Sequence, residues 1–321
     1  MKTTDGGMHW HRIATLPAYV VAKGAFPEGN PTPETISRIR FANSRVGYAF
    51  GSSFFMTTDG GVSWRKESVR FVDTLEISRG IVVRISYPNS GCPGPCDGIV
   101  ERSSVGSTFW HRILNTSLNG NAFSVGIQSS NVYVAAYGNP AGGANDAHTA
   151  FWRSLDLGRT WTQLGDPCGE STTGENDTRD FAVTAGGVLV LECVARGSGD
   201  AFLRVSIDSG NNFGPRRYLK GIKDLDAVAA GSAGTIAVTF MRNGEGVLVS
   251  HDGGRTWSST LSIRPAPDSE QPIPPPGAGS VESFLGFQDT RTARAAWGTA
   301  FIWTTRDGGN TWRRSAPFAG L

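Results

Sequence analysis

One eight-residue pattern recurs along the whole chain and constrains the fold more than any other feature. Residues 57–64 read TTDGGVSW, and near copies reading TTDGGMHW, SLDLGRTW, SIDSGNNF, SHDGGRTW and TRDGGNTW begin at Thr3, Ser154, Ser206, Ser250 and Thr305. A weaker copy, SSVGSTFW from Ser103, has Val105 where the others have aspartate. Successive copies lie 44 to 55 residues apart, which is room for four ordinary strands and their turns.

The residues between the copies favour strands. Short β-branched and aromatic runs such as TISRIRFA, VGYAFG and FFMTTD are separated by Gly, Asn and Asp, and the same plan returns in every interval. A fixed period of this length indicates a repeat architecture. Four-stranded units repeated about a ring form a β-propeller, so we predict an all-β fold in which residues 1–321 make a single propeller domain.

The recurring turn has a structural explanation. Its aspartate is expected to accept hydrogen bonds from nearby N–H groups, its glycines to take positive φ angles, and its tryptophan to pack over the hairpin. Because Val105 replaces one aspartate, a shared catalytic or metal-binding ring is disfavoured. The predicted structural residues are Asp5, Asp59, Asp156, Asp208, Asp252 and Asp307, with Trp10, Trp64, Trp161, Trp257 and Trp312.

These turns resemble the Asp-box, or BNR, repeat, S-x-D-x-G-x-T-W, which is found in sialidases and in many other propellers. The stretch IRFANSRVGYAFGSSFFMTTDGGVSW, residues 39–64, is similar to the photosystem II assembly and stability factor group. That resemblance implies a seven-bladed propeller that acts as a binding or assembly scaffold, often outside the cytoplasm. It does not imply a photosynthetic role.

Counting strands gives six complete blades and a remainder. The blades span about 35–66, 73–113, 122–164, 180–218, 225–260 and 281–316, and residues 1–15 hold one further Asp-box. We predict a seven-bladed type with an incomplete first blade, whose missing strands would precede Met1 in a longer natural protein. The alternative is a six-bladed ring with an extra N-terminal hairpin.

Long connections point to the ligand-binding face. They lie at 22–34, 137–148, 165–179 and 263–280. Three of the four join the outer (fourth) strand of one blade to the inner (first) strand of the next. Such loops gather on one face of a propeller. Acidic residues recur where inner strands begin, and Arg38 with Arg40 could mark an anion site. The ligand-face candidates, which could instead be ordinary solvated loop ends, are Glu34, Arg38, Asp73, Asp180, Asp226 and Glu282.

Four cysteines in Gly/Pro-rich surroundings suggest two disulfides, Cys92–Cys96 and Cys168–Cys193, although three pairings are possible. Disulfides favour an oxidising compartment, so we expect a secreted, periplasmic or cell-surface bacterial protein. The first residues, MKTTDGGMHW, lack the apolar core of a secretion signal. Four free thiols in a cytoplasmic protein are the alternative.

Composition and charge exclude other classes. The formal net charge is only +2 and no run of basic residues occurs, which disfavours nucleic-acid binding. No stretch reaches the roughly 18 apolar residues needed to cross a bilayer. The five histidines show no metal-ligand spacing, so we predict no metal or cofactor, and we expect a monomer.

Catalysis of the sialidase type is the enzyme alternative. The resemblance implies three arginines that hold the substrate carboxylate, a Tyr nucleophile activated by a Glu, and an Asp that acts as the acid. The early R-I-P motif of sialidases is replaced by RIRF, and the tyrosines end at Tyr218, although the sialidase nucleophile lies late in the chain. We therefore predict a non-enzymatic scaffold for a protein or glycan ligand, with a sialidase-like glycoside hydrolase as the alternative.

Overall fold

A computed structural model provides the coordinates of the protein. It describes residues 2, 11–14, 16, 36–69, 71–87, 96–115, 118–120, 122–137, 149–165, 167–171, 174–184, 186–195, 200–219, 222, 225–240, 245–263, 284–297 and 301–315. These residues form 26 strands in six antiparallel sheets, each built from consecutive strands. Each sheet is a blade, and the six blades are numbered in chain order.

The first compact unit, Arg12–Asp166, holds blades 1 to 3. Blade 1 comprises β1 (Ile36–Phe41), β2 (Gly47–Gly51), β3 (Phe55–Thr57) and β4 (Arg65–Lys66). Blade 2 comprises β5 (Phe71–Ser78), β6 (Ile81–Tyr87), β7 (Cys96–Ser104) and β8 (His111–Arg112), with β9 (Leu118–Gly120) added beside β7. Blade 3 comprises β10 (Ala122–Gln128), β11 (Asn131–Tyr137), β12 (Ala150–Ser154) and β13 (Thr162–Leu164).

The second unit, Pro167–Leu321 with Lys2–His11, holds blades 4 to 6. Blade 4 begins with an added strand, β14 (Glu170–Ser171), which pairs with β15; its first to fourth strands are β15 (Gly174–Val183), β16 (Leu189–Ala195), β17 (Ala201–Ser206) and β18 (Arg217–Tyr218). Blade 5 comprises β19 (Leu225–Ala230), β20 (Ile236–Phe240), β21 (Glu245–Ser250) and β22 (Ser258–Ile263). Blade 6 comprises β23 (Phe284–Phe287), β24 (Ala293–Trp297), β25 (Phe301–Thr305) and β26 (Arg313–Ser315).

The predicted seven-bladed count is wrong, and the six-bladed alternative is confirmed. In the N-terminal segment, Lys2 and His11 form an isolated antiparallel bridge with backbone bonds of 2.8 and 2.9 Å. Among the described residues, no further strand pairs with this bridge. The local Asp-box signature is therefore the same whether or not a full blade accompanies it.

Apolar side chains between successive blades form the core of each unit. In the first unit, Tyr48, Phe50 and Met56 of blade 1 pack with Val72 and Leu75 of blade 2. Similar clusters join blades 2 and 3, 4 and 5, and 5 and 6. A blade that has a neighbour on each side buries both faces of its sheet. Its second strand therefore consists mostly of consecutive apolar residues, as in VLVLECVA.

The described Asp-boxes close the hairpin between the third and fourth strands of their blades. In the five described copies the Ser or Thr hydroxyl donates to the aspartate at 2.7–2.8 Å and accepts the N–H of the second turn glycine at 2.7–2.9 Å. The carboxylate accepts the N–H four residues later at 2.9 Å. Positive φ at the two turn positions, 78° and 91° at Gly60 and Gly61, explains the paired glycines. Asp5 and Trp10 lie outside the described residues.

These bonds lower the carboxyl pKa values. Backbone and side-chain hydrogen bonds from Asn212, with a further bond from Ser206, lower the pKa of Asp208 to about 2. Bonds from the residue four positions later and from the turn hydroxyl also hold the pKa values of Asp59, Asp156 and Asp252 well below the usual range. The aspartates therefore stay ionised as acceptors and sit in five separate turns.

Acid should unfold the protein through these turns. Because each folded pKa is depressed, the unfolded chain binds more protons, so stability is present above about pH 4 and falls as pH drops towards 2. We expect Asp252→Asn to lower stability at neutral pH and to flatten this acid dependence. Denaturant unfolding between pH 2.5 and 7 measures both effects, with the exposed Asp97→Asn as control. Parallel pH curves for wild type and Asp252→Asn would contradict the assignment.

Blade 2 keeps its hairpin without the aspartate. The Gly106 N–H donates to the Tyr48 hydroxyl of blade 1 at 2.8 Å, and the Ser103 hydroxyl donates to the Phe109 carbonyl at 2.7 Å. The Arg84 guanidinium lies 3.7 Å from the Trp110 ring centroid, on the ring face. Contacts with the neighbouring blade and strand thus replace the hydrogen bonds that the aspartate accepts in the other turns.

Candidate functional site

Each blade has two ends with different chemistry. At one end the Asp-box meets the hairpin between the first two strands; for example, the Gly60 N–H donates to the Arg45 carbonyl at 2.7 Å. At the other end, the connection end, the chain passes from one blade to the next and the first strands begin. Of the described ligand-face candidates, Arg38, Asp73 and Asp226 lie near the starts of their strands, at the connection end, whereas Asp180 lies inside β15.

The structure places these candidates at β-bulges. The pairing of the first strand shifts register between Ile36 and Arg38, Val72 and Thr74, Thr178 and Asp180, and Leu225 and Ala227. Asp73 and Asp226 are the extra residues of their bulges, and Arg38 and Asp180 directly follow one. Bulges re-aim side chains and occur beside functional sites. Glu34 and Glu282 lie outside the described residues.

Asp73 of blade 2 forms a hydrogen bond with blade 3. Its Oδ2 accepts the backbone N–H of Phe123, at the start of blade 3, at 3.1 Å. It also hydrogen-bonds the buried Tyr87 hydroxyl. Burial, followed by the charge of Asp73 and this bond, raises the pKa of Tyr87 far above its usual value. Asp73 therefore has a positioning role in the first unit.

Asp180 and Asp226 lie on neighbouring strands of the second unit. Strand β15 packs beside β19, and β19 beside β23. The Asp180 carboxylate accepts the Phe181 N–H at 2.8 Å, and Asp226 is exposed.

Two polar links between first strands were not singled out from the sequence. Arg40 of β1 pairs with Glu76 of β5 at 2.9 Å, and the Ser129 N–H donates to the Ser78 hydroxyl at 3.2 Å. Alternating polar residues in RIRF and FVDTLEIS are the signal that could have found them. With Asp73, they join the first strands of blades 1, 2 and 3.

One long connection is partly described and well anchored. Strands β14 and β15 pair as a hairpin, with Glu170 opposite Glu175. The predicted Cys168–Cys193 disulfide is present and joins this connection to β16, with both cysteines buried. Cys92 and the side chain of Cys96 lie outside the described part of the chain, as do most residues of the other three long connections.

Two classes of site receive no support from the described residues. They contain no group of three His, Cys, Asp or Glu residues that could hold a metal ion. Within the same part of the chain, no helix is long and apolar enough to span a bilayer.

The comparisons with known proteins agree with this geometry. The BNR/Asp-box repeat family matches residues 248–259, which is the Asp-box of blade 5. The chain has the fold of the Asp-box β-propellers. No curated protein sequence matches this Asp-box propeller.

Solved structures share the fold at low identity. The structure titled "YCF48 bound to D1 peptide" is 16% identical, with a TM-score of 0.54, covering 87% of this chain and 81% of that one. YCF48 from Cyanidioschyzon merolae is 17% identical, with a TM-score of 0.51 and coverages of 86% and 83%. Kuenenia stuttgartiensis hydrazine synthase is 12% identical, with a TM-score of 0.56 and coverages of 87% and 80%. At these identities the likeness concerns the fold alone.

Proposed function

We propose that this Asp-box propeller is a non-enzymatic binding or assembly scaffold that holds a protein or glycan ligand at the connection end of its blades. The observation that carries the proposal is a bulge in the first strand of blades 1 and 2 in the first unit, and of blades 4 and 5 in the second; in each unit it places charged side chains at the bulge. A structure of YCF48, which shares the fold, is bound to a peptide. That precedent favours a polypeptide ligand.

Rigid surroundings support binding at this end. The β14–β15 hairpin is tied to β16 by the disulfide, and Asp73 ties blade 2 to blade 3. A surface that is ordered before the ligand arrives loses less conformational entropy on binding. The same disulfide supports an extracytoplasmic location, because such bonds persist in oxidising compartments.

The described tyrosines of the first two blades have structural partners. The Tyr48 hydroxyl accepts the Gly106 N–H, and the Tyr87 hydroxyl is bonded to Asp73 with a raised pKa. A raised pKa makes a phenol a poorer nucleophile, because less phenolate is present. These contacts favour the scaffold over a tyrosine-dependent glycosidase.

Binding arrays test the proposal directly. Fluorescently labelled protein is applied to arrays of short peptides and of glycans, and each hit is titrated in solution. We expect Asp226→Arg at the connection end to weaken the hit at least tenfold, about 1.4 kcal/mol. Arg306→Glu, an exposed charge reversal in the blade 6 Asp-box, is the matched control and should leave binding unchanged.

The same preparation is assayed with a fluorogenic sialoside. The scaffold account predicts no turnover. Turnover that is lost when an arginine is substituted, or binding that depends on Arg306 and not on Asp226, would contradict it.

A further inference from the structure

The Asp-box turns of blades 1, 2 and 3 are neighbours at one end of the first unit, which we call the Asp-box end. The blade 2 turn contacts blade 1, since the Gly106 N–H donates to the Tyr48 hydroxyl at 2.8 Å. The blade 3 turn contacts blade 2, since the Arg102 guanidinium donates to the Leu157 carbonyl at 2.6 Å. Side chains on these three turns therefore share one surface of the unit.

Two of these turns carry one large apolar side chain exposed to solvent in the Asp-box itself, and so does the third. Val62 of blade 1 is 61% exposed, Phe109 of blade 2 is 77% exposed and Leu155 of blade 3 is 48% exposed. Apolar residues scattered singly over a surface are ordinary, whereas exposed apolar residues that lie together mark interaction sites. Three on adjacent turns belong to the second kind.

The Asp-box turn does not require the phenylalanine. In the other described copies this position holds serine, threonine or asparagine, whose side chain bonds to the turn aspartate; in blade 3 the Thr160 hydroxyl donates to Asp156 at 2.6 Å. Blade 2 has Val105 in place of that aspartate, so the same bond is absent. The Phe109 side chain therefore has no part in the bonds that hold the turn.

Polar residues also occur at the other two apolar positions in related turns. The position of Leu155 holds Ile207 in blade 4 but Arg306 in blade 6. The position of Val62 holds Asn310 in blade 6. The turns of blades 4 and 6 keep the same bond from the second turn glycine to the Ser or Thr hydroxyl. Turn stability thus does not explain the apolar residues of the first unit.

Three exposed arginines lie at the same end. The Arg45 carbonyl, in the first hairpin of blade 1, accepts the N–H of Gly60 in the blade 1 turn at 2.7 Å. Arg79 is in the first hairpin of blade 2, and Arg159 is in the blade 3 turn. Among the residues that the structure describes, none of these guanidinium groups forms a hydrogen bond or an ion pair. They are therefore available to an anionic partner.

The acidic residues of this end are engaged within their own turns. The charged residues of the three turns, and of the loops that join the first two strands of each blade, are two aspartates and three arginines: Asp59, Asp156, Arg45, Arg79 and Arg159. The two carboxylates accept the backbone N–H groups of Ser63 and Thr160 at 2.9 Å. The Asp-box end of the first unit thus combines exposed apolar side chains with an excess of positive charge.

We propose that the Asp-box end of the first unit binds the surface of an anionic lipid bilayer. Val62, Phe109 and Leu155 enter the interfacial region, where burial of apolar side chains stabilises binding, and the arginines face the acidic headgroups. A bilayer suits apolar side chains carried on separate turns, because lipids rearrange around each of them and no matching groove is needed. The site lies at the other end of the blades from the connection end and is independent of the ligand proposed there.

Vesicle binding tests the proposal with the full chain. The protein is titrated with vesicles of phosphatidylcholine and phosphatidylglycerol, and with vesicles of phosphatidylcholine alone, and bound protein is separated by flotation. We expect binding to the anionic vesicles that weakens as salt is added. Binding to the neutral vesicles should be much weaker, because the arginines then have no acidic headgroups to face.

Three substitutions locate the contact. Phe109→Ser should lower the partition coefficient about tenfold, since it removes the burial of one aromatic side chain, and Val62→Ser should act in the same direction. Arg79→Ser should lower it about fivefold, the contribution of one basic residue at an anionic surface. Tyr218→Ser is the matched control: Tyr218 is 53% exposed and lies in the outer strand β18, and its loss should leave binding unchanged.

Other outcomes would overturn the proposal. They are absence of vesicle binding, equal binding to neutral and anionic vesicles, and equal binding by wild type and Phe109→Ser. Sedimentation without lipid is run on the same samples, and self-association that is lost in Phe109→Ser would assign the turns to a second copy instead. Unchanged thermal unfolding of Phe109→Ser, expected because the side chain is exposed, separates loss of binding from misfolding, and Val62→Ser repeats the test from a second turn.

Discussion

Replacing Glu101 with alanine should lower the free energy of unfolding by about 3–5 kcal/mol, the cost of leaving a buried charge without its partner. Glu101 Oε2 accepts from Arg84 Nε and Nη2 at 2.9 and 2.8 Å and from the Ser86 hydroxyl at 2.8 Å. The Arg84 side chain is 4% exposed. Burial lowers the pKa of Arg84, and the carboxylate opposes that shift. Denaturant unfolding at pH 7 measures the loss.

A half-exposed ion pair provides the control. Arg40 and Glu76 also lie 2.9 Å apart, but their side chains are 37% and 34% exposed. Solvent weakens such pairs, so Glu76→Ala should cost at most about 1 kcal/mol. The double variant Arg84→Met/Glu101→Leu should recover much of the stability, because apolar side chains of similar volume can replace a buried pair. Equal losses in Glu101→Ala and Glu76→Ala would contradict this account of blade 2.

Removing the Cys168–Cys193 disulfide should cost about 3 kcal/mol. The bond closes a chain separation of 25 residues, and a cross-link of that span reduces the entropy of the unfolded chain by an amount of this order. The variant Cys168→Ala/Cys193→Ala, unfolded by denaturant beside wild type, measures the cost. The hairpin that holds β14 should also lose protection from amide exchange, because the disulfide is its covalent link to β16.

Reductant distinguishes the disulfide from side-chain packing. Wild type should lose stability when dithiothreitol is added, whereas Cys168→Ala/Cys193→Ala should be insensitive at this site. A wild-type protein that keeps its full stability after complete reduction would contradict a stabilising role for the bond.

The repeated turn was enough to predict most of the fold. Its period predicted four-stranded sheets. The hydrogen bonds of the turn could also be predicted, because the donors and acceptors all lie within the same eight residues, as at Ser250, Asp252 and Gly254. The blade count was wrong because the N-terminal copy has the same local sequence as the others, whereas the described residues beside it, Lys2 and His11, form only an isolated bridge. The eight-residue sequence predicts a hairpin, whereas a blade also requires strands from other parts of the chain.

The candidate site could be predicted only in part. Asp73 and Asp226 lie near the starts of their strands, whereas Asp180 lies inside β15, which begins at Gly174. The bulges at Asp73 and Asp226 follow from strand pairing. The bond from the Phe123 N–H to Asp73 joins residues 50 positions apart, a separation that no local pattern specifies. Arg84 was available as a signal, since a charged residue interrupts the apolar run GIVVRISYP of the one blade whose turn lacks aspartate.

Hydrogen–deuterium exchange of the ligand-bound protein tests the central claim most directly. The ligand is the peptide or glycan obtained from the arrays, and exchange is compared with and without it. Binding at the connection end predicts new protection around Asp73 in the first unit, or around Asp180, Asp226 and the β14–β15 hairpin in the second, with the Asp-box turns unchanged. Protection confined to the Asp-box turns, with the first-strand starts unchanged, would contradict it.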